Sequence, residues 1–140
     1  MVVRKKHLLK QIHILRKHTL EEIEEFKSEI EKGIEGNQES NIIHNEGHLA
    51  ALGYIEKCLE HEKDTIDKKR VRKELRKISR SSTRISNHIS KEHYRINSFC
   101  MILELKEMSK EDSDKMDFNI GIQCVTNFLR DVINYNKFVK

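Results

Sequence analysis

The sequence predicts an all-α fold, an antiparallel helical bundle of four to five helices in a single domain over residues 1–140. Three observations carry that prediction. There is no proline and there are only five glycines among 140 residues, so helix breakers are scarce. Helix formers are plentiful, with Glu, Lys, Leu and Arg abundant along the chain. Apolar residues recur at steps of three and four rather than two. Leu, Ile, Val and Phe number 11, 17, 6 and 5, well above the roughly 20% of such residues below which chains stay disordered. A modest core is therefore expected.

Leu8, Ile12 and Leu15 share one face, and no carboxylate precedes Glu21, so residues 3–17 read as a basic amphipathic helix. Thr19-Leu-Glu-Glu22 has the form of a capping box and predicts that a second helix begins there. Leu20, Ile23, Phe26, Ile30 and Ile34 form its apolar stripe, with seven glutamates between Glu21 and Glu35 off the stripe. Gly33, Gly36 and the polar run to Asn41 end that helix, and Ser40 or Asn41 is the expected cap of the next. The third helix directs Leu49, Leu52, Ile55 and Leu59 inward, with Gly47 and Gly53 each expected to cost it about 1 kcal/mol relative to Ala.

Between Tyr54 and Ile120 there is neither Gly nor Pro. A break is expected at His61–Thr65, where charge replaces the apolar stripe and Asp64 or Thr65 is placed to cap. A long heptad-like helix then covers about 66–108, with Val71, Leu75, Ile78, Ser82, Ile85, Ile89, Glu92, Ile96, Phe99 and Leu103 on its stripe. The hydroxyl cluster Ser79–Thr83 marks a possible bend. Residues 109–117 read as a polar connection that also holds the cap of the last helix, whose buried stripe is Phe118, Ile122, Val125, Leu129 and Val132.

Net charge is +4, but the distribution is uneven: +6 over residues 1–18, −9 over 19–65, +8 over 66–110 and −1 beyond. Nine cations fall between Lys68 and Arg84, with Glu74 the only carboxylate among them. On a helical projection Lys69, Lys73, Arg76, Lys77, Arg80 and Arg84 lie away from the apolar stripe, and Lys91 and Arg95 extend the same side. These eight residues are the candidate nucleic-acid-binding face, a strip of cations suited to a phosphate backbone. No aromatic residue precedes Tyr94 in the strip, which argues against stacking on single-stranded bases. Charged outer faces are also what soluble helices ordinarily have. No zinc finger, RNP motif or helix-turn-helix signature accompanies the charge.

The chain has eight histidines. His44 and His48 lie one turn apart, and His88 and Glu92 repeat that spacing, so two helices have the donors for one bundle-core metal. The inward Glu and Glu-x-x-His sets of carboxylate-bridged bundles are missing, and neither a metal nor another cofactor is expected. The three cysteines, Cys58, Cys100 and Cys124, are odd in number and widely spaced, and read as buried structural thiols without a disulfide. Phosphate-cradling loops, nucleophile elbows and H-E-x-x-H are absent from the sequence. Arg84-Ile-Ser-Asn-His88 has one residue too few for the R-x4-6-H motif of helical ribonucleases. No catalytic residues are assigned.

The expectation is thus a small non-catalytic helical binding protein that engages nucleic acid or another acidic partner and self-associates. The alternative is an oligomeric helical scaffold or regulatory interaction module that does not bind nucleic acid. No apolar run approaches the roughly 18 to 20 residues of a membrane span, and the N-terminus lacks the pattern of a secretory signal. A cytoplasmic location is expected.

Overall fold

Two of the long helices are launched by one short β-ribbon. Val2–Arg4 (β1) pairs antiparallel with Thr65–Asp67 (β2) in the register Val2↔Asp67, Val3↔Ile66 and Arg4↔Thr65. Side chains alternate across a strand, and here Val3 and Ile66 both turn into the core. From β1 the chain enters Lys5–Glu31 (α1), and from β2 it enters Lys68–Phe99 (α3). Gln38–Glu60 (α2) lies between them, and Lys110–Tyr135 (α4) follows α3. The structure, a computed structural model, describes residues 1–99 and 108–138, with only the backbone described over 94–99.

The expected all-α antiparallel bundle is the observed architecture, with the ribbon as a small addition that the helix-dominated pattern did not signal. Successive helices reverse direction. Arg16 meets Glu56 and Glu22 meets Asn45 between α1 and α2, while Lys68 meets Asn136 and Ser86 meets Gln123 between α3 and α4. The principal packing pairs are α1 with α2, α2 with α4, and α4 with α3. That places α2 and α4 in the middle of the stack, with α1 and α3 on its two sides.

Leu8, Ile12, Leu52, Leu129 and Ile133 are completely buried and belong to one core cluster with Val3, Ile55, Leu59, Ile66, Val71, Leu75 and Val125. Burying one such side chain is worth roughly 1.5–3 kcal/mol over leaving it in water. Polar ties fix the register of the helices. Ser40 donates to Asp117 at 2.6 Å, and the Asn45 amide donates to Glu22 at 3.0 Å. Lys5 Nζ donates to the carbonyls of Glu60 and Glu62 at 3.3 and 3.2 Å, placing a cation at the negative end of α2.

Several expectations are corrected. The expected break between Lys17 and Thr19 does not exist: α1 runs through it. Leu8, Ile12, Leu15, Thr19 and Ile23 form one stripe at steps of four, three, four and four. Thr19, 6% exposed, therefore packs inward instead of capping. Of the glutamate-rich segment's own stripe only Ile23 is buried, while Leu20, Ile30 and Ile34 are exposed. Leu20 lies beside the stripe, and α1 packs chiefly against α2. Neither Ser40 nor Asn41 caps α2, which begins at Gln38 after Asn37. Ser40 is instead bonded to Asp117.

The break at His61–Thr65 is present and carries the start of β2, but the cap of α3 is Asp67, whose Oδ1 accepts from the Lys69 N–H at 2.9 Å. The helix is continuous through Ser79–Thr83. Its expected continuation to residue 108 falls on 100–107, outside the described residues. Ser109 is the N-cap of α4, accepting from the Asp112 N–H at 3.2 Å, so most of the expected polar connection is helix.

Ile85, expected on the buried stripe of α3, is 42% exposed. The buried residues Lys68, Val71, Leu75, Ser82, Ser86 and Ile89 define an arc centred about 70° away from Ile85 at about 100° per residue. Helix α3 is thus turned so that Ser86, off the expected stripe, is buried beside the expected Ser82, and Ser86 Oγ accepts from Gln123 Nε2 at 3.3 Å. The same rotation buries Lys68, one of the nine clustered cations, whose Nζ donates to Asn136 Oδ1 at 2.5 Å.

Candidate functional site

Rotation of the apolar arc toward α4 fixes where the cations of α3 stand. Lys69, Lys73, Arg76, Lys77, Arg80, Arg84 and Lys91 are all exposed, within an arc of about 100° on a helix of 3.6 residues per turn. Arg95 continues the helix, with its side chain outside the described residues. From Lys69 to Lys91 the strip is about 33 Å long at 1.5 Å per residue. Lys77 pairs with Glu74 at 3.2 Å, an exposed pair of ordinary weakness. Among the described residues no carboxylate lies within salt-bridge distance of Lys69, Lys73, Arg76, Arg80, Arg84 or Lys91.

Two further cations of the cluster are taken up structurally. Arg72 Nε donates to Asn134 Oδ1 at 2.7 Å, and Arg70 pairs with Glu62 at 2.7 Å. Beside the strip, Ser79, Thr83, Asn87, His88 and Ser90 join Arg80, Arg84 and Lys91 in lining an open groove. Hydroxyl, amide and guanidinium donors together are the set that contacts phosphate oxygens. The exposed glutamates Glu21, Glu22, Glu24, Glu25, Glu31 and Glu35 belong to α1 and the loop after it. They sit on the far side of the α2–α4 pair from α3, so the two charged surfaces do not neutralise each other.

A second cluster lies where α2 crosses α4. The imidazoles of His44 and His48 meet edge to face with centroids 4.6 Å apart, and Cys124 of α4 joins them. One donor atom from each of the three lies within 4.8 Å of the others. Both histidines are half-buried and Cys124 is exposed. Burial is the main cause that holds the His48 imidazole below its ordinary pKa of 6.5. The neighbouring His44 acts in the same direction, and Glu22 opposes them. His48 Nε2 is buried with no hydrogen-bond partner.

This grouping differs from the one the spacing suggested. His88 is exposed on the α3 groove and Glu92 is half-buried on the same helix, and neither joins the His44–His48 pair among the described residues. Cys124 takes that place. Sequence spacing cannot reveal a donor from another helix, and Cys124, expected to be a buried thiol, is exposed. Cys58 is half-buried, and it and Cys124 are free thiols; Cys100 lies outside the described residues. Among the described residues no helix is long and apolar enough to cross a membrane.

Comparison of the chain with protein-family models, with curated proteins and with solved structures gave no match in any of the three.

Proposed function

We propose that this chain is a small non-catalytic helical binding protein that holds a polyanion, nucleic acid first, against the basic face of α3. The observation that supports the reading best is the exposure of Lys69, Lys73, Arg76, Lys77, Arg80, Arg84 and Lys91 on one arc of one helix. A backbone of phosphates meets such a strip without base reading, and its binding free energy comes largely from released counterions. The serine, threonine and asparagine donors of the adjoining groove add hydrogen bonds that position the backbone. With no aromatic residue on the described part of the face, a duplex is the favoured form over a single strand.

The experiment is charge reversal. Arg76→Glu combined with Arg80→Glu removes two exposed cations and adds two anions without touching the core. The double variant is expected to fold with unchanged helix content and to lose at least about tenfold in affinity for duplex DNA or RNA at low salt. Retention equal to that of the parent would overturn the proposal.

A scaffold reading is favoured by a different observation, the exposure of Ile85 at 42% and Phe128 at 45%. In that reading the two side chains would belong to a subunit contact. A monomer by light scattering at high concentration counts against it.

A further inference from the structure

We propose that His44, His48 and Cys124 form a binding site for a borderline-soft divalent metal ion, zinc first, at the crossing of α2 and α4. The site does not involve the basic face of α3, and its test is independent of polyanion binding. Its geometry begins with the helix period: four residues return His48 to the side of α2 occupied by His44. The third donor comes from a helix held in unusually close contact. A β-carbon built on Gly121 would lie 2.9 Å from the His44 carbonyl carbon, so the α4 backbone lies against α2 at the His44 position. Cys124, one turn beyond Gly121, is brought to the two imidazoles by that approach.

The donor set is selective. Two imidazole nitrogens and one thiolate match the nitrogen and sulfur ligands of zinc, whereas calcium and magnesium require oxygen. Tetrahedral zinc with bonds of about 2.0–2.1 Å to nitrogen and 2.3 Å to sulfur sets its ligand atoms about 3.3–3.6 Å apart. The donors here lie within 4.8 Å, so closure asks for a contraction of about 1.5 Å at most. His48 Nε2, buried and unpaired, is the kind of orphaned polar atom that calls for a partner the protein itself does not provide. Binding deprotonates the Cys124 thiol, releasing one proton to solvent as the sulfur–metal bond forms. Three protein donors leave a fourth position for water or an outside ligand.

Cobalt(II) serves as a spectroscopic probe of the full-length chain, with zinc as the competitor. One equivalent of Co²⁺ should produce a thiolate-to-cobalt charge-transfer band and tetrahedral visible bands, both abolished by one equivalent of Zn²⁺. Cys124→Ser should remove the charge-transfer band, and His44→Ala should weaken binding at least about tenfold. Cys58→Ser and Cys100→Ser should leave the spectrum unchanged. Absence of the charge-transfer band in the parent chain, or its survival in Cys124→Ser, would overturn the proposal. Should a variant lose its helix content, the parent chain provides the second arm. Zinc should shield the exposed Cys124 from alkylation, and alkylation at an undiminished rate would equally overturn it.

Discussion

Gly47 on α2 and Gly121 on α4 each lie against the backbone of the other's helix. A β-carbon on Gly47 would overlap the Phe118 carbonyl oxygen, and one on Gly121 would overlap the His44 carbonyl oxygen. The obstacles are main-chain atoms, which cannot swing aside as a side-chain end does. Ordinary helix pairs keep their axes 8–10 Å apart because side chains intervene; here none does on either side. Gly47 therefore repays in packing what it costs in helix propensity.

Gly47→Ala and Gly121→Ala are expected to destabilise the fold by about 1–3 kcal/mol or more. Gly53 provides the contrast. It sits in the same helix with nothing within 4 Å of a built β-carbon, so Gly53→Ala should stabilise by about 0.5–1 kcal/mol. Urea denaturation of the three variants checks both signs. Destabilisation by Gly53→Ala equal to that of the other two would contradict the packing account.

Lys68 and Asn136 fasten the start of α3 to the end of α4. Asn136 also closes α4 in the left-handed conformation, φ 51, with its N–H donating to the Val132 carbonyl. Asn136→Gly keeps the backbone relaxed and removes only the acceptor, and should cost about 1–3 kcal/mol through the unpaired Lys68 ammonium. Asn136→Ala should cost about 1 kcal/mol more, because alanine resists positive φ. Thermal melts of the two variants separate the effects, and an equal loss in both would remove the conformational contribution.

The Arg16–Glu56 pair should give stability a small acid dependence. The hydrogen bond from Arg16 is the main cause that lowers the Glu56 carboxyl below its ordinary pKa of 4.5, against an opposing effect of burial. A depressed carboxyl contributes its full stabilisation above the unfolded-state pKa and loses it as pH falls through the folded value. The window therefore opens below about pH 4.5. Both side chains are about 30% exposed, so solvent screening limits the effect to about 0.5 kcal/mol. Arg16→Gln should lower stability near neutral pH and flatten this part of the acid limb relative to the parent chain.

Val3 and Ile66 face each other across the ribbon and join the core. Ile66→Ala should cost about 2–5 kcal/mol as a buried truncation, whereas Thr65→Ala, exposed on the same strand, should change stability by no more than about 0.5 kcal/mol. Denaturation of the pair tests whether the ribbon is part of the core or an attachment to it.

Helical character, the inward residues of α2 and α4, the break before residue 65 and the exposed side of α3 were legible in the sequence. Each follows from period and breaker content, which are local. Misread features depended on partners in other elements. Thr19 and Leu20 compete to define the stripe of α1, and only the position of α2 decides for Thr19. On α3 the pattern errs at Ile85 and Ser86: Ser86, polar by type, is buried beside the expected Ser82, while Ile85 faces water. The ribbon was missed because three residues are too few to display alternation. Cys124 was separated from His44 and His48 by about eighty residues of chain, and the two glycines that bring them together read locally as helix weaknesses.

The most direct test of the basic-face proposal is the affinity for a duplex as a function of salt, measured for the parent chain and for Arg76→Glu/Arg80→Glu. With about four phosphates engaged, the parent should give a slope of log K against log salt of about −3.6, and the double variant a slope shallower by about 2. Parent-chain affinity independent of salt, or the same slope in both proteins, would contradict the account.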